Sequence, residues 1–147
     1  MMIHLSNEIT FNFRLNAKLD KKMLQKQPKG KTLHDVDGNF QIYINQQIYF
    51  DEEEFLLLEF GILLNEWITK IDRGEKIDFI YHSIENEEPI MEFRYVDSGW
   101  EVASDWGNFE KHIYLSHSIL LKAIRIFLNE LNKSLKKNYE LQLDMTR

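Results

Sequence analysis

The sequence predicts an α+β domain in which an antiparallel sheet of about five or six strands carries two main helices, in the order ββαβββα. Two long segments have apolar residues at spacings of three and four, the period of amphipathic helices. Short stretches rich in β-branched and aromatic residues, separated by turn-forming residues, are typical of antiparallel strands. The 147 residues, 44% of them hydrophobic, are expected to form one domain over residues 1–147.

The first strand and the segment after it differ sharply in pattern. The stretch EITFNFRLN alternates between apolar and polar residues, and this period of two predicts a half-buried strand. The next segment loses the alternation and contains six lysines between Lys18 and Lys31, together with Pro28 and Gly30. We therefore predict a mobile Lys-rich loop over residues 17–38.

Residues 39–50, NFQIYINQQIYF, have the composition of strand structure. The near-repeat of QIYI and QIYF around Asn45 and Gln46 is compatible with a tight hairpin or with one bulged strand. The sequence leaves both arrangements open.

The stretch DEEEFLLLEFGILLNEWITKIDRGE predicts the first helix. The acids of residues 51–54 are expected to supply its N-cap and first turn, where they complement the helix dipole, and Gly74 is expected to end it. Apolar positions cover more than half of its circumference, so we expect a central helix that is covered on more than one side.

Three strand-like runs follow, KIDFIYHSI, PIMEFRYV and WEVASDW, in the pattern of an antiparallel meander. The turn VDSGW between the last two is expected to place Gly99 in the left-handed conformation that short hairpin loops need. Trp100 would then open a strand and share one face with Val102.

The stretch SHSILLKAIRIFLNELNKSLKK predicts the second helix, with Ser116 or Ser118 as its N-cap. Its apolar stripe consists of Leu120, Ile124, Phe127, Leu128, Leu131 and Leu135. This stripe is expected to pack on the sheet.

Charge is distributed unevenly along the chain. The net charge is −6, but residues 51–110 contain 17 acids and four bases, which gives this segment a local net charge of −13. Binding to nucleic acid depends on cations that neutralise phosphates, so we expect no nucleic-acid partner. A strongly negative surface favours a basic protein partner.

Targeting and membrane signals are not found in the sequence. The first residues lack the basic start and long apolar run of a signal peptide, and no apolar run approaches the roughly 18 residues that a membrane span needs. The chain has no cysteine, which suits a reducing compartment. We expect a cytoplasmic protein without membrane contact.

The sequence also lacks a recognisable catalytic, cofactor or metal motif. Five histidines fall on different predicted elements and do not share the spacing of a metal site: His4, His34, His82, His112 and His117. None of its six glycines belongs to a phosphate-binding loop, and no serine lies in a nucleophile elbow. We expect no enzymatic activity, no cofactor and no metal.

The best candidate for a partner-binding surface combines acids with a tryptophan in the stretch SDWGNFE. Tryptophan among acids has the composition of a hot spot that faces arginine or lysine. The predicted partner-binding residues are Glu85, Glu87, Glu88, Asp105 and Trp106. A buried Trp106 that closes one end of the core is the alternative, and the sequence does not decide between the two.

Four stretches together resemble small acidic bacterial immunity proteins, the antidotes encoded beside polymorphic or contact-dependent toxins. They are GNFQIYI, FLLLEFGILLNEWI, MEFRYVDSGWEVASDW and LLKAIRIFLNEL, within residues 38–131. The resemblance is one of layout and character. It implies a non-enzymatic inhibitor that binds one cognate toxin C-terminal domain, often a basic nuclease, at its active site or on an adjacent surface.

Two other functions remain open at the level of sequence. One is a regulatory or scaffold module whose partner is another cytoplasmic protein. The other is a small-molecule-binding domain with a site under the sheet, lined by Trp67, Tyr81, Tyr95 and Trp100. The oligomeric state is not predicted, and a dimer formed through an exposed strand edge is one possibility.

Overall fold

The structure is a computed structural model that describes residues 7–16, 22, 26, 35–82, 90–104, 106–107 and 113–143. Most of the predicted Lys-rich loop at 17–38 lies outside the described residues. Its predicted mobility is therefore not tested. The end of that range is buried rather than looped out: Val36 is 2% exposed, Asp37 is 9% exposed and Gly38 opens a strand.

The described elements follow one another in the order βββαββββα. They are β1 (Ile9–Leu15), β2 (Gly38–Ile44), β3 (Gln47–Phe55), α1 (Leu57–Asp72), β4 (Phe79–Tyr81), β5 (Met91–Val96), β6 (Gly99–Ala103), β7 (Ile113–Ser116) and α2 (His117–Tyr139). Every strand pair is antiparallel. The predicted α+β class with two main helices is confirmed.

The strands form two sheets rather than the predicted single sheet of five or six strands. The first sheet has the order β1-β2-β3 and the second has the order β4-β5-β6-β7. Helix α1 separates them in the chain, since three strands precede it and four follow. Each sheet is thus built from strands that are consecutive in sequence.

The open question about residues 39–50 is decided in favour of a hairpin. Asn45 and Gln46 form its two-residue turn with φ of 50° and 69°, which suits the twist of the flanking strands. The pairing of β2 with β3 also contains two register shifts, one of them opposite Ile42 and Tyr43. The hairpin therefore has irregular strands as well.

The acids of residues 51–54 do not cap a helix, so that prediction is wrong. They lie within β3, and α1 begins at Leu57 after an N-cap residue, Leu56, that makes no side-chain capping bond. Phe50 pairs with β2 and Phe55 does so as well, and both rings are buried in the core. Burial and backbone pairing of these aromatic residues outweigh the capping preference of the acids between them.

Helix α1 is central, as predicted, and Gly74 follows it with φ of 95°. Phe60 illustrates its position, because this ring contacts both sheets. Its centroid lies 5.2 Å from that of Phe40 in the first sheet and 5.1 Å from that of Tyr81 in the second. Phe127 of α2 lies 6.1 Å away.

Helix α2 packs on β1 and also contacts α1 and the second sheet. Ser116 caps it by accepting a hydrogen bond from the Ile119 N–H at 3.3 Å, which selects one of the two predicted caps. The predicted stripe is buried throughout: Leu120, Ile124, Phe127, Leu128, Leu131 and Leu135. None of the helices that the structure describes is both long and apolar enough to cross a membrane.

The turn between β5 and β6 differs from the prediction. Its left-handed residues are Asp97 and Ser98, with φ of 48° and 66°, whereas Gly99 already belongs to the strand. A Cβ at Gly99 would overlap the Tyr114 hydroxyl and lie 2.7 Å from the Leu115 carbonyl oxygen. A glycine is therefore needed at residue 99 because β7 lies so close, and the turn does not require it.

Candidate functional site

The outer face of the first sheet carries a groove of about 600 Å³. Strand alternation sends the apolar residues of β1 and β2 into the core and leaves polar side chains outside. The groove is lined by Arg14, Asn16, Asn39, Gln41, Asp51, Glu53 and Glu54, and we call this set the acidic groove. It contains three carboxylates and one cation.

Amide side chains position the acidic strand in this groove. The Asn39 side-chain amide donates to Asp51 Oδ1 at 2.9 Å and to the backbone carbonyl of Glu52 at 3.1 Å. The Asn16 amide donates to the backbone carbonyl of Glu53 at 3.1 Å. These bonds hold β3 against its neighbours while the carboxylate of Glu53 stays exposed.

Three of the four acids of β3, Asp51, Glu52 and Glu53, have no ion-pair partner in the part of the chain that the structure describes. Burial and the negative charges of Asp51 and Glu53 raise the pKa of Glu52 above its ordinary value. Both causes disfavour the ionised carboxylate of Glu52, as expected where acids are neighbours along one strand.

Trp106 lies against the same strand. Its ring stacks on Phe50 with centroids 6.3 Å apart and planes 11° apart, yet the residue remains 39% exposed. Ser104 Oγ accepts a hydrogen bond from the Trp106 N–H at 3.1 Å. A Cβ at Gly107 would lie 2.6 Å from the Tyr49 ring, so this segment packs closely on β3.

The two alternatives for Trp106, core or surface, are thus combined in one side chain. One part of the ring packs on the buried Phe50, and another part faces solvent. Strand alternation puts Glu52 on the side of β3 that Phe50 occupies and puts Asp51 and Glu53 on the groove side. An exposed indole therefore lies at an edge strand that has carboxylates on both sides.

A family model described as Domain of unknown function (DUF7878) matches residues 10–137. The chain belongs to this family. The matched region of the DUF7878 domain includes the acidic groove and Trp106. No curated protein and no solved structure matches the chain.

Of the predicted partner-binding residues, only Trp106 lies in the described part of the DUF7878 domain. Glu85, Glu87, Glu88 and Asp105 lie outside the described residues. The acids that the structure does place near Trp106 are those of β3, and sequence analysis assigned them to a helix start. A signal for the strand was present in QIYFDEEEF, where aromatic residues flank the acids on both sides.

The aromatic set considered for a small-molecule site forms part of the core. Trp67, Tyr81 and Trp100 are at most 4% exposed. The Trp67 and Trp100 rings meet edge to face at 5.0 Å, and Tyr95 packs on Trp100 at 5.1 Å. These rings fill space against one another and do not line an open site.

The described histidines do not gather with other potential ligands. Within the described ranges, no group of three histidine, aspartate or glutamate side chains is arranged to hold a metal ion. His117 instead accepts a hydrogen bond at Nδ1 from Trp100 Nε1, at 3.0 Å. Three others, His4, His34 and His112, lie outside the described residues.

Proposed function

We propose that this protein is a non-enzymatic inhibitor of the immunity type, which binds a basic toxin domain in the cytoplasm and neutralises it. The observation that carries the proposal is the position of Trp106, partly exposed and stacked on Phe50 of the strand that bears Asp51, Glu52 and Glu53. The acidic groove and Trp106 lie on the two sides of β3, and both contribute to the proposed binding surface along this edge strand. The proposal rests on these described residues, because Glu85, Glu87 and Glu88 lie outside the described part of the chain.

The two components of the surface contribute differently to binding. Carboxylates steer a cationic partner toward the protein and raise the association rate, an effect that salt weakens. An exposed tryptophan offers a large ring face that packs against arginine or lysine side chains. A tryptophan and carboxylates along one edge strand therefore fit a basic partner that engages this edge.

The free protein keeps the Glu52 carboxylate ionised at a cost in stability. The raised pKa of Glu52 shows that its ionised form is disfavoured by burial and by Asp51 and Glu53. A cation brought by a partner would offset this repulsion on binding. Residues that destabilise the free protein, and whose unfavourable interactions a ligand removes, are typical of binding surfaces.

A regulatory module with a harmless cytoplasmic partner would use the same surface, and the resemblance to immunity proteins favours the toxin.

Affinity capture of the tagged full chain from its native host, at low and at moderate salt, identifies the partner. We expect one basic polypeptide that salt releases. Expression of that polypeptide alone should stop growth, and co-expression with this protein should restore it; a polypeptide that is harmless alone would support the regulatory function instead.

Variants of the binding surface test which residues carry the affinity for the captured polypeptide. Trp106→Ala is expected to weaken binding by about tenfold or more, because a hot-spot truncation costs about 2 kcal/mol. Glu53→Gln should weaken it several-fold and reduce its salt dependence. The matched control is Glu75→Gln, which removes one charge from an exposed glutamate after α1, outside the groove. Equal affinities for all three variants would disprove the proposed surface.

A further inference from the structure

Strand β1 is an edge strand of the first sheet, and its pairing partner among the described strands is β2. Two hydrogen bonds define the phase of that pairing: the Asn45 N–H donates to the Glu8 carbonyl at 3.0 Å, and the Asn16 N–H donates to the Asp37 carbonyl at 2.9 Å. Bonded residues alternate along an antiparallel strand. The even-numbered residues of β1 therefore bond to β2, and the odd-numbered residues turn their N–H and C=O groups away from it.

Phe13 and Leu15 are odd-numbered residues with open backbone groups. In the described part of the chain, no hydrogen bond reaches the N–H or C=O of either residue. Their side chains are only partly buried against the core. Both border a groove of about 470 Å³ between β1 and α2, which we call the β1–α2 groove. Its lining is Asn12, Phe13, Arg14, Leu15, Glu130, Ser134 and Asn138.

Edge strands usually carry a feature that prevents further pairing, such as a bulge, charged residues or very short length. Strand β3 has register shifts and four consecutive acids, β4 has three residues and β7 has four. Strand β1 has seven residues in uninterrupted register with β2, and it contains neither lysine nor proline. Arg14 is its one charged residue, and β1 lacks the register shifts, the run of acids and the short length that the other outer strands show.

We propose that the β1–α2 groove receives an extended segment of a partner protein, which pairs with the open edge of β1 at Phe13 and Leu15 as an added strand. This mode of recognition obtains affinity from backbone hydrogen bonds and specificity from alternate side chains. It goes beyond the proposed function: Arg14 borders both grooves, but the backbone edge of Phe13 and Leu15 that carries this proposal is not part of the acidic groove, and Trp106 takes no part.

The groove defines the chemistry of that segment. On the inner side, alternate residues would contact Phe13, Leu15 and the short side chain of Ser134, which suits apolar residues. On the outer side, Arg14 is exposed and has no ion-pair partner among the described residues. Opposite charges attract across neighbouring strands, so an acid is favoured beside it. The expected segment alternates apolar residues with polar or acidic ones.

A second copy of this chain fits the edge less well than a single segment does. Helix α2 packs directly on β1, where Phe127 lies 5.8 Å from Phe11 and 5.7 Å from Phe13. Neighbouring strands lie about 4.8 Å apart, whereas packed helices need about 8–10 Å between their axes. Two chains joined antiparallel at β1, with both α2 helices on the same face of the joined sheet, would therefore crowd these helices, and a lone strand brings no helix.

The test uses a displayed library of short peptides, selected against the immobilised full chain, with two variants at one position. Leu15→Pro removes an open N–H without removing a bond to β2, and proline is tolerated where an edge N–H faces solvent. Leu15→Ala removes the side chain but keeps the N–H. We expect selected peptides to bind Leu15→Pro about tenfold or more weakly than Leu15→Ala, because a peptide carbonyl loses its donor.

Amide exchange measured by NMR checks the geometry without any ligand. The Phe13 and Leu15 amides should exchange faster than those of Asn12 and Arg14, and peptide binding should slow them. Equal exchange at all four amides would overturn the proposal. Failure to select any peptide, or equal affinity for both folded Leu15 variants, would do so as well.

Two controls distinguish this proposal from the proposed inhibitor function and from a dimer of this chain. Trp106→Ala should leave peptide affinity unchanged, so the proposed inhibitor function can fail independently. Light scattering of the free chain should show a monomer. A dimer that Leu15→Pro abolishes would assign the edge to a second copy and overturn the proposal.

Discussion

At the scale of single residues, His117 supports the most buried tryptophan of the core. Trp100 is fully buried, and its indole N–H donates to His117 Nδ1, so this nitrogen must be unprotonated. Burial lowers the pKa of His117, and the positive charges of Lys76 and Arg125 lower it further. Arg125 is itself ion-paired with Asp72. The first turn of a helix also disfavours a cation.

Protonation of His117 should therefore destabilise the fold. Its pKa is lowered in the folded state, so its contribution to stability is present above the unfolded value of 6.5 and is lost as the pH falls below it. His117→Asn keeps an acceptor oxygen near the Nδ1 position and does not titrate. Thermal unfolding at about pH 7.5 and about pH 5.5 should show a larger loss for the wild type than for His117→Asn. Equal losses would mean that His117 does not control the acid response.

At the scale of elements, the two described hairpin turns place residues other than glycine in the left-handed region. Asn45 and Gln46 do so between β2 and β3, and Asp97 and Ser98 do so between β5 and β6. The twist of paired strands demands this turn geometry, and side chains with a Cβ adopt it at a cost. Local strain at these turns is outweighed by the strand pairing that they connect.

Substitutions in the second hairpin should have opposite effects on the free energy of unfolding. Ser98→Gly relieves a left-handed backbone and is expected to stabilise the protein by about 0.5–1 kcal/mol. Gly99→Ala places a methyl group against β7 and should destabilise it by about 1–3 kcal/mol. Denaturant unfolding of both variants measures the difference. If Gly99→Ala had no effect, the close approach of Tyr114 would be wrong.

At the scale of the whole molecule, Phe60 joins the two sheets and both helices. Its ring lies 5.0 Å from Phe55 in the first sheet, 5.8 Å from Phe79 in the second and 6.1 Å from Phe127 in α2. Aromatic pairs at these distances are favourable beyond the area that they bury. Three parts of the core thus depend on one side chain.

Removing that ring should destabilise the whole fold. Phe60→Ala is expected to lower the free energy of unfolding by about 3–5 kcal/mol, since a central cavity has no single element that can collapse into it. The control is Ile126→Ala on α2, a residue that is 56% exposed and should change stability by less than about 0.5 kcal/mol. Chemical denaturation compares the two. Similar small effects would show that the sheets do not share one core.

The sequence predicted that the candidate binding surface is acidic, but it did not predict which residues come together there. The excess of acids follows from composition, but the partial exposure of Trp106 and its place beside the acidic strand depend on a contact between Trp106 and Phe50, which are far apart in the chain. The open edge of β1 likewise depends on which strands become neighbours. Contacts between distant segments leave no periodic signal in a single sequence.

The sequence by itself determined the α+β class, both amphipathic helices, the Gly74 helix end and the buried stripe of α2, because hydrophobic periodicity and helix-ending preferences act over a few neighbouring residues. Tertiary structure alone decided that residues 51–54 form strand and that the strands divide into two sheets. Local preferences for a cap or a turn contribute about 1 kcal/mol, whereas burying Phe50 and Phe55 and pairing their strand contribute several times more. Where the two conflict, the larger contribution determines the structure.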